Sequence, residues 1–62
     1  MPIVTIQMAR GRSTAQKKKV ADEITASLVE TFGVDPDWVT ILFQELDRES
    51  IAKAGVLLSE TD

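Results

Sequence analysis

One short stretch near the amino terminus decides the fold of this chain: Pro2-Ile3-Val4-Thr5-Ile6-Gln7-Met8. The stretch is rich in β-branched residues, and Val4, Ile6 and Met8 recur at a spacing of two. Such alternation is typical of a β-strand with one buried face, and Ile3 falls on the opposite face. Residues 2–8 therefore predict a first strand with one apolar face and one mixed face.

A long helix is predicted after a turn at Gly11. Ser13 and Gln16 have the spacing of a capping box, in which the serine caps the helix and the glutamine reaches back to the cap. From Thr14 to Phe32 the apolar residues recur at steps of three and four, which places them on one helical stripe: Val20, Ala21, Ile24, Leu28 and Phe32. Gly33 suits the left-handed residue that follows a helix.

Further β segments are predicted in the second half of the chain. Residues 35–37 predict a turn or the start of a single helical turn, with Asp35 as cap and Pro36 at its first position. Val39 to Leu46 predict the second strand, with apolar residues on both faces. Residues 47–50 are interpreted as a polar loop, residues 51–58 as a short hairpin or edge strand, and residues 59–62 as a frayed tail. The order strand, helix, strand implies a right-handed crossover between parallel strands. The predicted fold class is therefore α/β (α+β), a β-α-β unit with a short C-terminal hairpin.

The length of 62 residues predicts a single domain over residues 1–62 with a thin core of its own. A two-stranded sheet under one helix leaves its second face and its edges without partners. The chain has no cysteine and no histidine, which removes disulfides and ordinary zinc sites as sources of stability. We therefore expect the sheet to be completed by oligomerisation with other copies or with a related chain.

Charge and hydropathy exclude several classes of partner. The net charge is −3 and the pI is near 4.7, so we expect no partnership with nucleic acid or with an anionic membrane. The basic run Lys17-Lys18-Lys19 has no interleaved aromatic residue and is interpreted as solvated surface. No apolar run reaches the roughly 20 residues that span a bilayer, and no signal peptide is evident, so we expect a cytoplasmic protein. The scattered acidic residues lack the spacing of a metal site.

Pro2 is the strongest candidate for chemistry. A small residue after the initiator favours removal of Met1, which would leave the proline with a free secondary amine. An ordinary α-amino group titrates near 8, and partial burial beside cations moves that pKa toward neutrality, where the amine is a general base. The alternative is that Pro2 only starts the strand.

Arg12 is the candidate anion-binding residue. It follows Gly11 and precedes the helix cap, where a guanidinium holds a carboxylate in two parallel hydrogen bonds and exposed N–H groups favour anions. The length of the first strand separates Arg12 from Pro2, so a neighbouring subunit could bring the two together where one chain does not. A solvated loop arginine is the alternative, and Arg10 carries the same two interpretations.

Several segments together match a known pattern: Pro2-Ile3-Val4-Thr5-Ile6, Gly11-Arg12-Ser13, Gln16-Lys17, the helix with its Gly33 break, and Ala54-Gly55-Val56-Leu57-Leu58-Ser59. With these segments the chain resembles the 4-oxalocrotonate tautomerase family, the small members of the tautomerase superfamily. The resemblance implies a homohexamer built as a trimer of dimers, or a heterohexamer, and no metal or organic cofactor. It also implies that Pro2 is the catalytic base on 2-hydroxy or 2-oxo dienoate acids, that Arg12 binds the substrate carboxylate, and that the reaction belongs to aromatic hydrocarbon catabolism.

Two positions differ from the family pattern. Family members often carry a second arginine where Thr40 stands, and they tend to have an aromatic pocket wall where Ile51 stands. Arg10 or Arg48, from this or another subunit, is the candidate replacement for the missing positive charge. The predicted substrate-binding residues are Arg12, Thr40, Ile51 and Arg10.

Two other functions stay open on the sequence alone. Relatives in this superfamily hydrate or dehalogenate unsaturated acids with a cationic proline as acid and a carboxylate that activates water. Glu45 or Glu49 is the candidate for that carboxylate. The third interpretation is a non-catalytic assembly subunit or binding module, which the departures at Thr40 and Ile51 favour.

Overall fold

The computed structural model describes residues 1–61. It contains strand β1, helix α1, strand β2 and the two strands of a short hairpin, in this order: β1 Ile3–Ala9, α1 Thr14–Phe32, β2 Thr40–Leu46, β3 Ala52–Lys53 and β4 Val56–Leu57. Three single 3-10 turns lie between or after them: Pro36–Trp38, Arg48–Ser50 and Leu58–Glu60. The predicted β-α-β unit with a C-terminal hairpin is confirmed.

Strands β1 and β2 are parallel neighbours, paired from Ile3 opposite Thr40 to Ala9 opposite Leu46. Side chains alternate between the two faces of this sheet. Half-buried residues on both strands face α1: Val4, Ile6, Met8, Ile41, Phe43 and Glu45. The other face is open, and its apolar side chains Ile3 and Leu42 are 61% and 50% exposed.

The ends of α1 follow the sequence signals. The Ser13 hydroxyl accepts the Gln16 N–H at 3.1 Å, and the Gln16 side chain accepts the Ser13 N–H at 2.9 Å. Gly33 closes the helix at a φ of 68°, with its N–H donated to the Val29 carbonyl at 3.0 Å. Glycine adopts this left-handed conformation at a lower steric cost than other residues, which explains why the helix ends there.

The apolar stripe of α1 is less buried than its spacing predicts. Val20 and Phe32, which the spacing placed on the covered stripe, are 42% and 65% exposed. The helix has 19 residues and a length of about 28 Å, whereas each strand has seven residues and extends about 23 Å. Two strands are also too narrow to cover a whole helical face, so part of the stripe stays open within one chain.

Two boundaries differ from the sequence prediction. Strand β2 begins at Thr40 because the Val39 N–H is donated to the Pro36 carbonyl, at 3.2 Å, within the preceding 3-10 turn. The segment predicted as a polar loop, residues 47–50, contains a 3-10 turn closed by the Ser50 N–H on the Asp47 carbonyl at 2.8 Å. Elements of one turn have too few residues for a periodic signal.

The predicted frayed tail is wrong for Ser59 and Glu60, which lie in the last 3-10 turn. The Glu60 carboxylate accepts the Leu57 N–H at 3.1 Å. Arg48 also stabilises this segment, because its guanidinium donates hydrogen bonds to the carbonyl oxygens of Leu58 at 2.8 Å and Thr61 at 3.1 Å. The remaining residue of that predicted tail, residue 62, lies outside the described residues.

Residues 1–61 contain no buried side chain, so the described chain has no closed core. Its accessible surface is 4863 Å², against about 3,950 Å² for a compact monomer of this mass. Its radius of gyration is 14.8 Å, where a compact chain of this length has about 10.6 Å. An elongated protomer with one open sheet face is the shape expected of a subunit that folds together with others. In the part described, no helix is both long and apolar enough to cross a membrane.

Candidate active site

Pro2 lies at the amino end of the parallel sheet. Its carbonyl oxygen accepts the Thr40 N–H at 3.0 Å, which extends the strand pairing by one step before Ile3. The proline is half-buried, and Met1 before it is 85% exposed. The structure therefore places two of the predicted site residues, Pro2 and Thr40, side by side.

Arg12 lies at the opposite end of β1, in the turn that leads to α1. Gly11 before it has a φ of 128°, a conformation that residues with a side chain rarely adopt, and Ser13 after it is the helix cap. Among residues 1–61 the Arg12 guanidinium has no ion-pair or hydrogen-bond partner. An exposed and unpaired guanidinium is free to bind an anion.

A groove of about 440 Å³ lies beside Arg12 on the helix side of the sheet. Its apolar lining comes from both strands and the helix: Ile6, Met8, Val20 and Phe43. Its positively charged residues come from the turn and the first helical turns: Arg12, Lys17 and Lys19. The groove thus combines an apolar surface with cations, an arrangement suited to a small apolar acid.

One chain does not bring Pro2 and Arg12 together. Strand β1 runs between them and extends about 23 Å, and Pro2 does not line the groove beside Arg12. A site that uses both residues therefore needs a second chain.

The structure places Arg10 and Ile51 away from Pro2 as well. The Arg10 Nε donates to an Asp47 carboxylate oxygen at 2.5 Å, and this hydrogen bond raises the pKa of Arg10. Ile51 is half-buried at the start of the hairpin segment, where its carbonyl accepts the Leu58 N–H at 2.8 Å. Within one chain the predicted site residues therefore form three groups: Pro2 with Thr40, Arg10 with Arg12, and Ile51 alone.

Sequence reasoning missed an ion pair made by Lys17, one of the residues that line the groove. The Lys17 ammonium donates to the Glu45 carboxylate at 2.7 Å, and both side chains are only 25% exposed. The hydrogen bond and the positive charge of Lys17 lower the pKa of Glu45. The interpretation of Lys17 as solvated surface is therefore wrong. The signal was present in the spacing, because Lys17 precedes Ala21 on the same stripe by one helical step of four residues.

The two candidate water-activating carboxylates differ in their surroundings. Glu45 is held by Lys17 between the helix and β2, whereas Glu49 is exposed in the 3-10 turn after β2. Neither residue lies at the end of the sheet that carries Pro2. Residues 1–61 also contain no group of three side chains suited to hold a metal ion.

Comparisons with known proteins match nearly the whole chain. The family profile described as "Tautomerase enzyme" matches residues 2–61. The chain is similar to the 2-hydroxymuconate tautomerase of Bacillus subtilis (strain 168), with 31% identity over 62 residues and 100% of both chains covered.

Solved structures show the same fold. YwhB, a homologue of 4-oxalocrotonate tautomerase, superposes with a TM-score of 0.89 and 30% identity, over 98% of this chain and 100% of its own. A heterohexameric 4-oxalocrotonate tautomerase from Chloroflexus aurantiacus J-10-fl gives a TM-score of 0.88 and 29% identity, with 100% of both chains covered. The tautomerase fold predicted from the sequence is confirmed. This chain therefore belongs to the tautomerase family, among its small 4-oxalocrotonate tautomerase members.

Proposed function

We propose that this protein is a cofactor-independent keto–enol tautomerase acting on 2-hydroxy or 2-oxo dienoate-type carboxylic acids. The observation that carries the proposal is a proline at position 2, held beside β2 by its carbonyl, in a chain that matches the tautomerase family from residue 2 onward. Removal of Met1 is required, because the nitrogen of Pro2 is otherwise an amide without a basic lone pair. The single domain expected over residues 1–62 and the cytoplasmic location are parts of this proposal.

The proposed reaction moves one proton within the substrate. The Pro2 nitrogen takes the proton from the 2-hydroxyl group, and the electron pair of that O–H bond becomes the second bond of the ketone. The dienoate double bonds shift, and the same nitrogen returns the proton to a conjugated carbon. The amine is regenerated, so the proton and electron balance closes without a redox partner.

Arg12 serves as the carboxylate clamp in this proposal. Two parallel N–H donors hold the substrate carboxylate, and the positive charge stabilises the negative charge that spreads through the conjugated system. Because Pro2 and Arg12 lie at opposite ends of β1, we propose that the clamp comes from a neighbouring subunit. We propose a homohexamer built as a trimer of dimers, or a heterohexamer with a related chain. The open sheet face and the heterohexameric neighbour from Chloroflexus aurantiacus support this assembly.

The proposed function is tested at the amino terminus. Intact mass first establishes that the purified chain starts at Pro2. Ketonisation of 2-hydroxymuconate and of phenylenolpyruvate is then followed by absorbance. We expect Pro2→Ala to lower kcat/KM by about 10²–10⁴-fold, because a positioned general base contributes about that factor.

Pro36→Ala is the matched control, since Pro36 is the only other proline of the chain. It lies in a 3-10 turn and takes no part in the proposed chemistry. Turnover that is equal in the parent and in Pro2→Ala, with Met1 removed, would contradict the mechanism.

A non-catalytic assembly subunit is the second candidate function. The neutral Thr40 beside Pro2 favours it, because among residues 1–61 that end of the sheet has no lysine or arginine side chain to stabilise an enolate. Its signature is a stable oligomer that starts at Pro2 and turns over neither substrate.

A further inference from the structure

Building on the proposed function, we propose that the substrate carries one carboxylate and an apolar, aryl-type tail. In this assignment Arg12 of one chain binds the carboxylate, and Trp38 of the chain that supplies Pro2 binds the tail. The inference concerns the class of acid, which the proposed tautomerase activity leaves open.

The distribution of cations supports a single carboxylate. Four of the seven lysine and arginine side chains are held in ion pairs: Arg10 with Asp47, Lys17 with Glu45, Lys18 with Asp22 and Lys19 with Glu23. Arg48 is committed to the carbonyl oxygens of the last 3-10 turn. Within residues 1–61 this leaves Arg12 and Lys53 without such a partner, and Lys53 lies on the exposed hairpin. Each chain thus offers one free guanidinium.

The Pro2 end of the sheet is unsuited to a second carboxylate. Its paired neighbour is the neutral Thr40. The charged residues of the turn that leads into β2 are both acidic, Asp35 and Asp37. Among the described residues, a carboxylate that left water at this end would meet no lysine or arginine side chain of its own chain, and the two acidic residues of the turn carry the same charge as it does, which disfavours binding.

Trp38 provides an apolar surface at the same end. It closes the 3-10 turn two residues before Thr40, and 55% of its surface is exposed in the single chain. An exposed indole beside a neutral strand end favours stacking of an aromatic or conjugated tail. Arg12 at one end of a substrate and Trp38 at the other therefore match an acid with one charged and one apolar end.

Binding is tested by fluorescence, because Trp38 is the only tryptophan of the chain. The assembled protein is titrated with 3-phenylpropanoate, a monocarboxylate, and with adipate, a dicarboxylate, neither of which absorbs at the long-wavelength edge of indole excitation. We expect 3-phenylpropanoate to change the Trp38 emission with a Kd lower by about ten-fold or more than that of adipate. Arg12→Ala should weaken that binding by about ten-fold. Equal or tighter binding of adipate, or an emission change that is insensitive to Arg12→Ala, would overturn the assignment.

Turnover gives an independent test with a matched pair of variants. The ratio of kcat/KM for phenylenolpyruvate to kcat/KM for 2-hydroxymuconate is measured in the parent, Thr40→Arg and Thr31→Arg. Thr40→Arg adds a cation beside Pro2 and should move the ratio toward the dicarboxylate by about ten-fold. Thr31→Arg adds the same charge on the exposed end of α1 and should leave the ratio unchanged.

The outcomes separate the two proposals. A parent enzyme that prefers 2-hydroxymuconate, or that loses its turnover of 2-hydroxymuconate in Lys53→Ala, contradicts the substrate class and leaves the tautomerase function intact. Absence of turnover with both acids contradicts the tautomerase function, and the titration then decides the ligand class by itself.

Discussion

The backbone conformation of Ala54 shows what the turn of the hairpin requires. Ala54 and Gly55 form the two-residue connection between β3 and β4, with φ values of 54° and 79°. Positive φ at both positions is typical of a type I′ turn, which favours asparagine followed by glycine. Alanine has a steric cost in this conformation that asparagine bears more easily. Gly55 indicated a hairpin in the sequence, but no local signal indicated that Ala54 adopts a positive φ.

We expect Ala54→Asn to raise the free energy of unfolding by about 0.5–1 kcal/mol, because asparagine relieves the backbone strain of the turn. Urea unfolding at equal protomer concentration measures the change. Ala26→Asn is the control, since Ala26 is exposed in α1, where asparagine has a poorer helix propensity and should destabilise. A fall in stability for both variants would show that the turn is not strained at Ala54.

The sequence identified Pro2 and Arg12 as candidates because each stands next to a local signal, the chain start and the helix cap. It also separated them by the length of the first strand, but it could not show how two chains bring them to one site, since that depends on contacts between chains. The 55% exposure of Trp38 in the single chain was also beyond sequence reasoning, because it depends on which elements pack against the turn before β2.

At the scale of elements, the two main strands and the helix were predictable because each has a period that its own residues display. The capping box at Ser13 and the glycine at Gly33 fixed both ends of α1. The two 3-10 turns after β2 were harder, since one turn has no period and neither contains a proline like the turn before β2. The partial burial of Lys17 depended on a carboxylate 28 residues later in the chain. Local sequence patterns did not indicate which side chains of different elements contact one another.

The ion pair between Lys17 and Glu45 makes the stability of the fold depend on pH. Lys17 holds the pKa of Glu45 below its ordinary value of 4.5 in the folded chain. The stabilisation is therefore fully present above pH 4.5 and is lost as the pH falls through the lower pKa of the folded state. We expect Lys17→Met to reduce the stability that is lost as the pH falls below 4.5, and Glu45→Gln to do the same.

A double-mutant cycle with these two variants measures the coupling by urea unfolding. The same cycle on Lys19 and Glu23, which are 76% and 64% exposed, is the matched comparison. We expect the coupling of Lys17 with Glu45 to be larger than that of the exposed pair, because solvent screens the exposed pair more strongly. Equal coupling at both pairs would contradict a role for Lys17 in holding α1 against β2. A pH profile of the unfolding free energy that Lys17→Met leaves unchanged would contradict it as well.

At the scale of the whole molecule, the main feature is an open sheet face in a chain that buries no side chain among its described residues. A strand pair under one helix can cover only one of its two faces, so the sequence already predicted that the chain needs partners. The subunit arrangement could not be predicted in the same way. It depends on shape complementarity between copies, which neither hydrophobic periodicity nor helix-capping residues indicate.

Leu42→Asp tests the open face, because it places a charge at the centre of that face. We expect the oligomer to dissociate and the fold to weaken by about 2 kcal/mol or more, since a buried leucine contributes about 1.5–3 kcal/mol. Analytical ultracentrifugation and thermal unfolding give the two readouts. Ser27→Asp is the control on the exposed side of α1. An oligomer that is unchanged by Leu42→Asp would contradict an interface on this face.

In the proposed assembly, one chain supplies Pro2 and another supplies Arg12 to the same site. The most direct test mixes Pro2→Ala and Arg12→Ala chains, unfolds them together and refolds them into mixed oligomers. Sites shared between chains regain up to about a quarter of the parent activity, because random assembly pairs an intact Pro2 with an intact Arg12 in that fraction of sites. Activity that stays at the level of the two separate variants, in oligomers shown to be mixed, would contradict the claim.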